Sequence, residues 1–301
     1  MPISYSIEPT NHCNLQCLEC PSGLGTLTRP LGLLNLTDFK KLIDEIKDTS
    51  FYVQLFFQGE PFINKNLPEM IKYAQSKKIY ISISTNGHFI NEKNVDYVLD
   101  NAPDKLIFSV DGLDEESYQK YRVGGTFEQA DKGLRYLVSQ KKKRGLKKPF
   151  IEFQFIVMKQ NEHQMENVER YCKEIGVGKL VFKTMQITSY ENALKFLPAN
   201  NKYRRYSLHD NTFTIKNKIQ NHCFALWRTS VITWDGRVVP CCFDKDATNE
   251  IGLVNGRSFE EVWASKEYSN FRNKILANRK SVPMCTNCTE GLKVNIFKIE
   301  Q

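Results

Sequence analysis

The chain has 301 residues, 41% of them hydrophobic, and carries 42 Lys and Arg against 34 Asp and Glu, for a net charge of +8. Such a composition belongs to a globular protein with a sizeable core, long enough for one large domain and a small one. No apolar run reaches membrane-spanning length and no charged-then-apolar signal pattern opens the chain, so a cytoplasmic location with no membrane partner is expected.

The surplus charge is partly local. Six basic residues fall between Lys141 and Lys148. This run reads as a solvated helix end and loop, and without interleaved aromatics it gives no nucleic-acid face. Nine cysteines in a cytosolic chain favour metal or redox chemistry over disulfides.

Ile3, Tyr5 and Ile7 alternate as a first strand, and Cys13, Cys17 and Cys20 follow it at spacings of four and three. Thr37-Asp38 opens an amphipathic helix from Phe39 to Ile46. A strand over Tyr52–Phe57 leads to a helix over Leu67–Ser76. The third and fourth strands are expected over Ile79–Ser84 and Leu106–Val110, with a helix over Glu92–Leu99 between them. Helices follow near Glu115–Tyr121 and from Phe127 to Gln140. The fifth strand is Ile151–Val157, its helix Met165–Ile175, and the sixth strand Lys179–Lys183. Six strands alternating with helices predict an α/β fold with a parallel sheet, and ligands then belong at the C-terminal ends of the strands.

Those ends are polar. Strand two runs into Gln58-Gly59-Glu60-Pro61, strand three into Ser84-Thr85-Asn86-Gly87, and strand four into Ser109-Val110-Asp111-Gly112. Each alone is an ordinary turn. Together with the cysteine loop they make four polar tips in succession, which points to a ligand site. Arg122 reads either as the partner of a ligand carboxylate or as a surface arginine. The fifth strand presents Gln154 and ends near Gln160-Asn161 without marking a ligand. From Met185 to Asn221 the periodicity fades. This stretch holds Tyr203-Arg204-Arg205-Tyr206, a basic-aromatic patch that would suit an anionic substrate.

The last third carries Cys223, the doublet Cys241-Cys242, and Cys285-Thr286-Asn287-Cys288. Alternating apolar residues between Ser230 and Val239 flank Asp235-Gly236, a hairpin signal that brings Cys223 and Cys241 together. An amphipathic helix from Phe259 to Leu276 then returns the chain so that the C-x2-C pair closes the set. Cys172 lies among apolar neighbours in a helix and reads as packing.

Cysteine thiolates are the usual ligands of iron–sulfur clusters, and a cubane of four irons takes four ligands. The first loop supplies three, which leaves one iron open. The second set supplies a closed site. A zinc site is the alternative for either, since C-x2-C pairs commonly bind zinc.

The triplet at Cys13, Cys17 and Cys20 resembles the C-x3-C-x2-C signature of the radical S-adenosylmethionine (radical SAM) superfamily. The aromatic position that the family keeps just before its third cysteine is read here as Leu18. Gln58-Gly59-Glu60-Pro61 is similar to the family's G-G-E-P motif. The stretch from Cys223 to Cys288 resembles the SPASM and twitch extensions that bind an auxiliary 4Fe–4S cluster. The resemblance implies a (β/α)6 partial TIM barrel over residues 1–185, a connecting segment over 186–221, and a small α+β auxiliary-cluster domain over 222–301. It implies two 4Fe–4S clusters and S-adenosylmethionine as cofactors, with a flavodoxin- or ferredoxin-type electron donor. Cys13, Cys17 and Cys20 would hold the reactive cluster. Cys223, Cys241, Cys285 and Cys288 would hold the auxiliary one, with Cys242 as the runner-up to Cys241. Gln58, Gly59, Glu60, Ser84, Asn86, Ser109, Asp111 and Arg122 fall in the cofactor pocket. There a glycine admits close backbone approach and a carboxylate suits an ammonium group.

The implied activity is reductive cleavage of S-adenosylmethionine to a 5′-deoxyadenosyl radical that abstracts a substrate hydrogen. A fully ligated auxiliary cluster favours a net oxidation, such as a dehydrogenation or a cross-link. The chain begins at strand one with no leader-binding domain before it, which favours a small molecule or a partner-delivered peptide as substrate. A non-catalytic iron–sulfur carrier or sensor would have no use for four polar tips. An RNA-modifying radical enzyme would bring an added RNA-binding domain, and none is visible. No catalytic side chain is singled out.

Overall fold

The computed structural model describes residues 1–289 and the backbone of Lys298–Glu300. Its strands are β1 (Ser4–Ile7), β2 (Tyr52–Gln54), β3 (Tyr80–Thr85), β4 (Lys105–Ser109), β5 (Phe150–Val157), β6 (Lys179–Thr184), β7 (Tyr206–His209), β8 (Thr212–Ile215), β9 (Thr229–Ile232), β10 (Arg237–Val239), β11 (Gly252–Leu253) and β12 (Lys298–Glu300). Strands β1 to β6 pair in parallel and in sequential order, each joined to the next by a helical connection. The result is an α/β fold with a parallel-rich sheet.

Alternation along the strands sorts their two faces. Tyr5, Ile7, Val53, Ile81, Ile83, Leu106, Phe108, Phe153, Phe155 and Leu180 are buried in the main core. Leu36–Ile46 packs there through Phe39, Leu42, Ile43 and Ile46, and Leu67–Ser76 through Leu67, Met70, Ile71 and Ala74. The opposite face is polar. Ser6, Gln54 and Ser82 stand in register on adjacent strands. Farther along, Lys105 pairs with Glu152 at 3.4 Å, and Gln154 donates to Glu152 at 2.7 Å.

The C-terminal third does not stand apart from this sheet. β9 pairs in parallel with β1, Ser4 opposite Thr229 and Ile7 opposite Ile232, and β10 and β11 extend the same sheet as an antiparallel edge. β1 is therefore hydrogen-bonded on both sides. Just past it, Glu8 and Arg29 form a buried bidentate pair, 2.6 Å at each nitrogen. Glu8 also accepts the Trp234 amide at 3.2 Å, and Arg29 Nε donates to Lys245 O at 3.3 Å. Asp246 takes the Thr28 amide and hydroxyl at 2.8 and 2.6 Å. The segment downstream of the first cysteines is thus tied to the segment downstream of Cys241-Cys242.

Several sequence expectations need correction. The stretch 185–221 is not irregular: it holds a helix at Tyr190–Phe196 and the β7–β8 hairpin, turning at Asn211 with φ +57°. The helix expected from Phe259 to Leu276 is two, Phe259–Trp263 and Lys266–Asn278, because Ser265 caps the second by accepting the Tyr268 amide. The helix expected from Glu92 starts at Val95, since Asn91 and Asn94 side chains bind the backbone of a turn first. β2 ends at Gln54, and the Ser6 hydroxyl donates to Phe56 O at 2.5 Å. The helix before β2 is capped by Asn35, upstream of Thr37-Asp38.

Arg29→Met leaves Glu8 buried without its cation and is expected to cost about 3–5 kcal/mol in chemical denaturation, whereas Glu8→Met combined with Arg29→Met should recover most of that loss.

Candidate functional site

The four polar tips converge on the cysteine loop. Glu60 N donates to His12 O at 2.8 Å, so the β2 tip is sewn to the residue before Cys13. Gly59 has φ +76°, and a Cβ there would lie 2.5 Å from His12 O. Only glycine fits this crossing. Gln58 accepts the Ser22 hydroxyl at 3.3 Å, just beyond Cys20. At the β3 tip, Asn86 Nδ2 donates to Asn14 Oδ1 at 2.8 Å, inside the triplet. After β4, Val123 O and Tyr121 O accept the amides of Gln16 and Leu18 at 2.7 and 3.2 Å. Cys17, Leu15 and Tyr121 share a second apolar cluster, against which Cys13, Leu18 and Cys20 pack.

Burial raises the Cys13 thiol above its usual range and pushes Cys17 up to about 12. Each feels the charge of Cys20. Three thiolates gathered in one loop need a compensating cation, so the donor set fits a metal cluster. Arg122 is neither a surface residue nor free. It is bound to Asp111 at 2.7 and 2.6 Å, and its Nη1 lies 4.0 Å from Cys17 Sγ. The other Asp111 oxygen accepts the Ile156 amide at 2.7 Å.

Glu60 is fully enclosed. Burial pushes its carboxyl up to about 7, although the Asn86 amide, the Thr85 hydroxyl (both 2.8 Å) and the Phe62 amide (3.3 Å) all favour its charge. Its oxygens therefore hold the β3 tip. Ser84 and Ser109 stand half-buried with their hydroxyls 3.2 Å apart. The residue directly before Cys20 is Glu19; Leu18 lies one place earlier.

The second set lines one cavity. About 340 Å³ in volume, it is walled by Cys223, Cys241, Cys242, Cys285 and Cys288, with Phe271 and Ile275 among the apolar residues. Cys223 precedes a short helix, Ala225–Arg228, that leads into β9, and Cys241 follows β10, so the hairpin brings both to one cavity as expected. Cys288 N donates to Cys285 O at 3.2 Å, and buried Arg279 donates to Cys288 Sγ at 3.2 Å. Charge interactions connect Cys241 with Cys288, whereas Cys242 is exposed and feels Lys245 and Lys183. Among the described residues no three Cys, His, Asp or Glu side chains converge as a single-ion site requires, where zinc bonds of about 2.3 Å hold sulfurs within about 4 Å of each other. Cys172 is fully buried, as expected.

The Tyr203–Tyr206 patch does not form an open anion site. Arg204 donates to Ala199 O, Arg205 to the Thr184 hydroxyl at 3.0 Å, and Tyr206 is buried with its hydroxyl 2.5 Å from Asn287 Oδ1. It braces the C-x2-C loop. Glu8, Arg29 and Lys245 escaped the sequence reading, because no local spacing links residues so far apart.

The sequence matches the Radical SAM superfamily over residues 7–172 and the Iron-sulfur cluster-binding domain (SPASM) over residues 223–289. The chain belongs to the radical SAM superfamily. Its cofactors are S-adenosylmethionine and two 4Fe–4S clusters. It is similar to the tungsten-containing aldehyde ferredoxin oxidoreductase cofactor-modifying protein of Pyrococcus furiosus, 25% identical over 94% of this chain and 86% of that one. It is also similar to the antilisterial bacteriocin subtilosin biosynthesis protein AlbA of Bacillus subtilis, 23% identical over 88% of this chain and 60% of that protein. In fold it matches Streptococcus suis SuiB bound to S-adenosylmethionine, with a TM-score of 0.68 and 17% identity over 98% of this chain and 74% of SuiB. Among the described residues no helix is long and apolar enough to cross a membrane.

Because Glu60 takes up a proton on folding, the cluster-free protein should lose stability as pH rises from about 4.5 to 7, by about 3 kcal/mol from this group alone. Denaturation across that window should show a flatter pH profile for Glu60→Gln than for the wild type.

Proposed function

We propose that this protein is a radical SAM oxidoreductase acting on a small molecule or a peptide, with a net oxidation as outcome. When bound, the cluster and S-adenosylmethionine supply a 5′-deoxyadenosyl radical able to take a hydrogen atom from the substrate. The observation that carries this reading is the convergence of the β2, β3 and β4 tips on the loop of Cys13, Cys17 and Cys20, which we assign as the ligands of the reactive cluster.

The six parallel strands are read as a partial TIM barrel over residues 1–185, with this loop at its mouth, and residues 222–301 as the auxiliary-cluster region. Gln58, Gly59, Glu60, Ser84, Asn86, Ser109, Asp111 and Arg122 shape the cofactor pocket in two ways. Ser84, Ser109 and the Gly59 backbone are offered to the ligand, and Asn86 holds Asn14 of the cysteine loop. Glu60 fixes Thr85 and Asn86, Asp111 fixes Arg122, and Arg122 sets positive charge beside Cys17.

Cys223, Cys241, Cys285 and Cys288 are assigned to the auxiliary cluster. Held by these four cysteines, a cluster would have no iron open to a substrate and would supply an acceptor for the electron left after hydrogen abstraction. The oxidation follows from that. A flavodoxin- or ferredoxin-type protein would supply the reducing electron, and the location would be cytoplasmic. The relatives' names support both substrate classes, one being a cofactor-modifying protein and the other a bacteriocin biosynthesis protein.

Anaerobically reconstituted wild-type protein should carry about eight irons per chain, and a Cys13/Cys17/Cys20→Ala variant about four. With dithionite and S-adenosylmethionine, only the wild type should release 5′-deoxyadenosine. Zinc in place of iron, or cleavage that survives in the variant, would sink the mechanism.

A further inference from the structure

The cavity of the second cysteine set is closed on one side by a single strap of chain, residues 216–228, that follows β8. Asn217 Nδ2 donates to Cys288 O at 3.4 Å. Asn221 donates to Ala277 O at 2.9 Å and accepts the Arg279 amide at 3.0 Å. Arg279 Nη1 donates to His222 O at 2.6 Å, and Arg272 Nε to Leu226 O at 3.4 Å. The strap is thus bound at intervals to the helix over Lys266–Asn278 and to the C-x2-C loop. Cys223, Ala225, Leu226 and Arg228 line the cavity from it.

What the strap leaves in water is largely apolar. Phe224, next to Cys223 in the chain, is 67% exposed, and Trp227 is 43% exposed. The Arg228 guanidinium lies 5.9 Å from the Phe224 ring centroid, and the His222 ring meets that ring edge-on at 6.3 Å. Arg228 O accepts the Ile3 amide and Ile3 O the Phe51 amide, both at 3.0 Å. The exposed Ile3 and Phe51 therefore continue the patch across the end of the sheet. Aromatic rings and an arginine grouped at the surface in this way suit contact with a partner.

The charge of the region has one sign. Residues 211–234 and 268–289 contain no Asp or Glu. Lys216, Lys218, Arg228, Lys274 and Lys280 are exposed there, and among the described residues none of them stands in an ion pair. The basic run from Lys141 to Lys148 differs, because Arg144 is paired with Asp96 and Asp100, and Lys148 with Asp104. A surface of one sign without internal compensation attracts a partner of the opposite sign and speeds its arrival.

We propose that this strap, with Phe224 at its centre, is the docking surface for a small acidic electron-carrier protein of the flavodoxin type, which draws one electron out past Cys223. This rests on the function proposed above, in which the auxiliary cluster accepts the electron left after hydrogen abstraction. That electron has to leave before the next turnover. The oxidised flavin of the docked carrier takes it up, with a proton from solvent, and the cluster returns to its oxidised state. Phe224 keeps the path short, being both one residue from a cluster ligand and at the surface.

The probe is an oxidised flavodoxin, titrated calorimetrically into reconstituted holoenzyme at low and at physiological ionic strength. Binding should weaken with salt, and by about tenfold in Lys218/Arg228→Glu and in Phe224→Ser. Lys141/Lys142/Lys143→Glu should leave it within about twofold of wild type, since those charges lie elsewhere. Iron content equal to wild type shows that each variant is folded. Should the double variant lose iron, Lys218→Glu alone, at an exposed side chain, should still weaken binding by about threefold. Electron transfer is read separately in Cys13/Cys17/Cys20→Ala, which keeps only the auxiliary cluster. Reduced and freed of dithionite, it should reduce the flavin, about tenfold more slowly at limiting carrier when Phe224→Ser is added.

Equal binding in wild type and in the strap variants, or binding lost only in Lys141/Lys142/Lys143→Glu, would overturn the proposal. So would attachment to vesicles of equal phosphatidylglycerol and phosphatidylcholine in place of flavodoxin, which would give the face to a membrane. A triple alanine variant without iron means that the auxiliary assignment has failed, and the proposal with it. If that variant keeps about four irons and still passes no electron to flavodoxin, the assignment stands and the docking proposal alone is wrong.

Discussion

β1 is the constraint on which the two halves of the molecule depend. It pairs in parallel with β2 on one side and β9 on the other, so the loop leaving its end and the hairpin carrying Cys241 share one sheet. Backbone pairing of this kind fixes separation and register, and neither can drift without breaking several hydrogen bonds at once. The buried Glu8–Arg29 pair sits at the same end of β1. Its hydrogen bonds with the Trp234 amide and Lys245 O join residues more than 200 positions apart. Such a pair contributes little net stability compared with an apolar replacement, but it is unforgiving of misplacement. Its effect is to set the distance between two cysteine sets.

Most of the polarity at the strand tips is spent on holding other polarity. Glu60 is occupied by Thr85, Asn86 and Phe62, and Asp111 by Arg122 and Ile156. Buried carboxylates in that position act on a ligand indirectly, by keeping hydroxyls, amides and a guanidinium from reorganising. The cysteine loop gains the same benefit. With Asn86, Glu60, Val123 and Tyr121 all bonded to it, its backbone is fixed before a metal arrives. Preorganisation of this sort lowers the cost of gathering thiolates that burial alone would keep protonated.

The region after β6 shows how a weak sequence signal conceals a definite structure. Tyr206 and Leu208 on β7 and Phe213 and Ile215 on β8 do alternate, but each strand has only four residues, and the turn uses Asp210-Asn211 without glycine. Two arginines beside two tyrosines suggested an open anion site. The packing turned them inward, where the Tyr206 hydroxyl reaches Asn287 between the last two cysteines. Charge in a sequence says nothing of whether a backbone carbonyl is waiting for it.

The sequence by itself determined the periodic elements and the cysteine spacings. Leu67–Ser76 and Met165–Ile175 fall where the helical period put them, and each of the six parallel strands appears within a few residues of its expected place. These are local signals, carried by side-chain alternation and by ligands close in the chain. Only the tertiary structure decided what joins distant segments. It set β9 beside β1, paired Glu8 with Arg29, committed Arg122 to Asp111, and left Glu19 Oε1 buried without a hydrogen-bond partner among the described residues. The physical reason is that burial and unmet hydrogen bonds are properties of the packed molecule, set by which surfaces meet and not by which residues are neighbours in the chain.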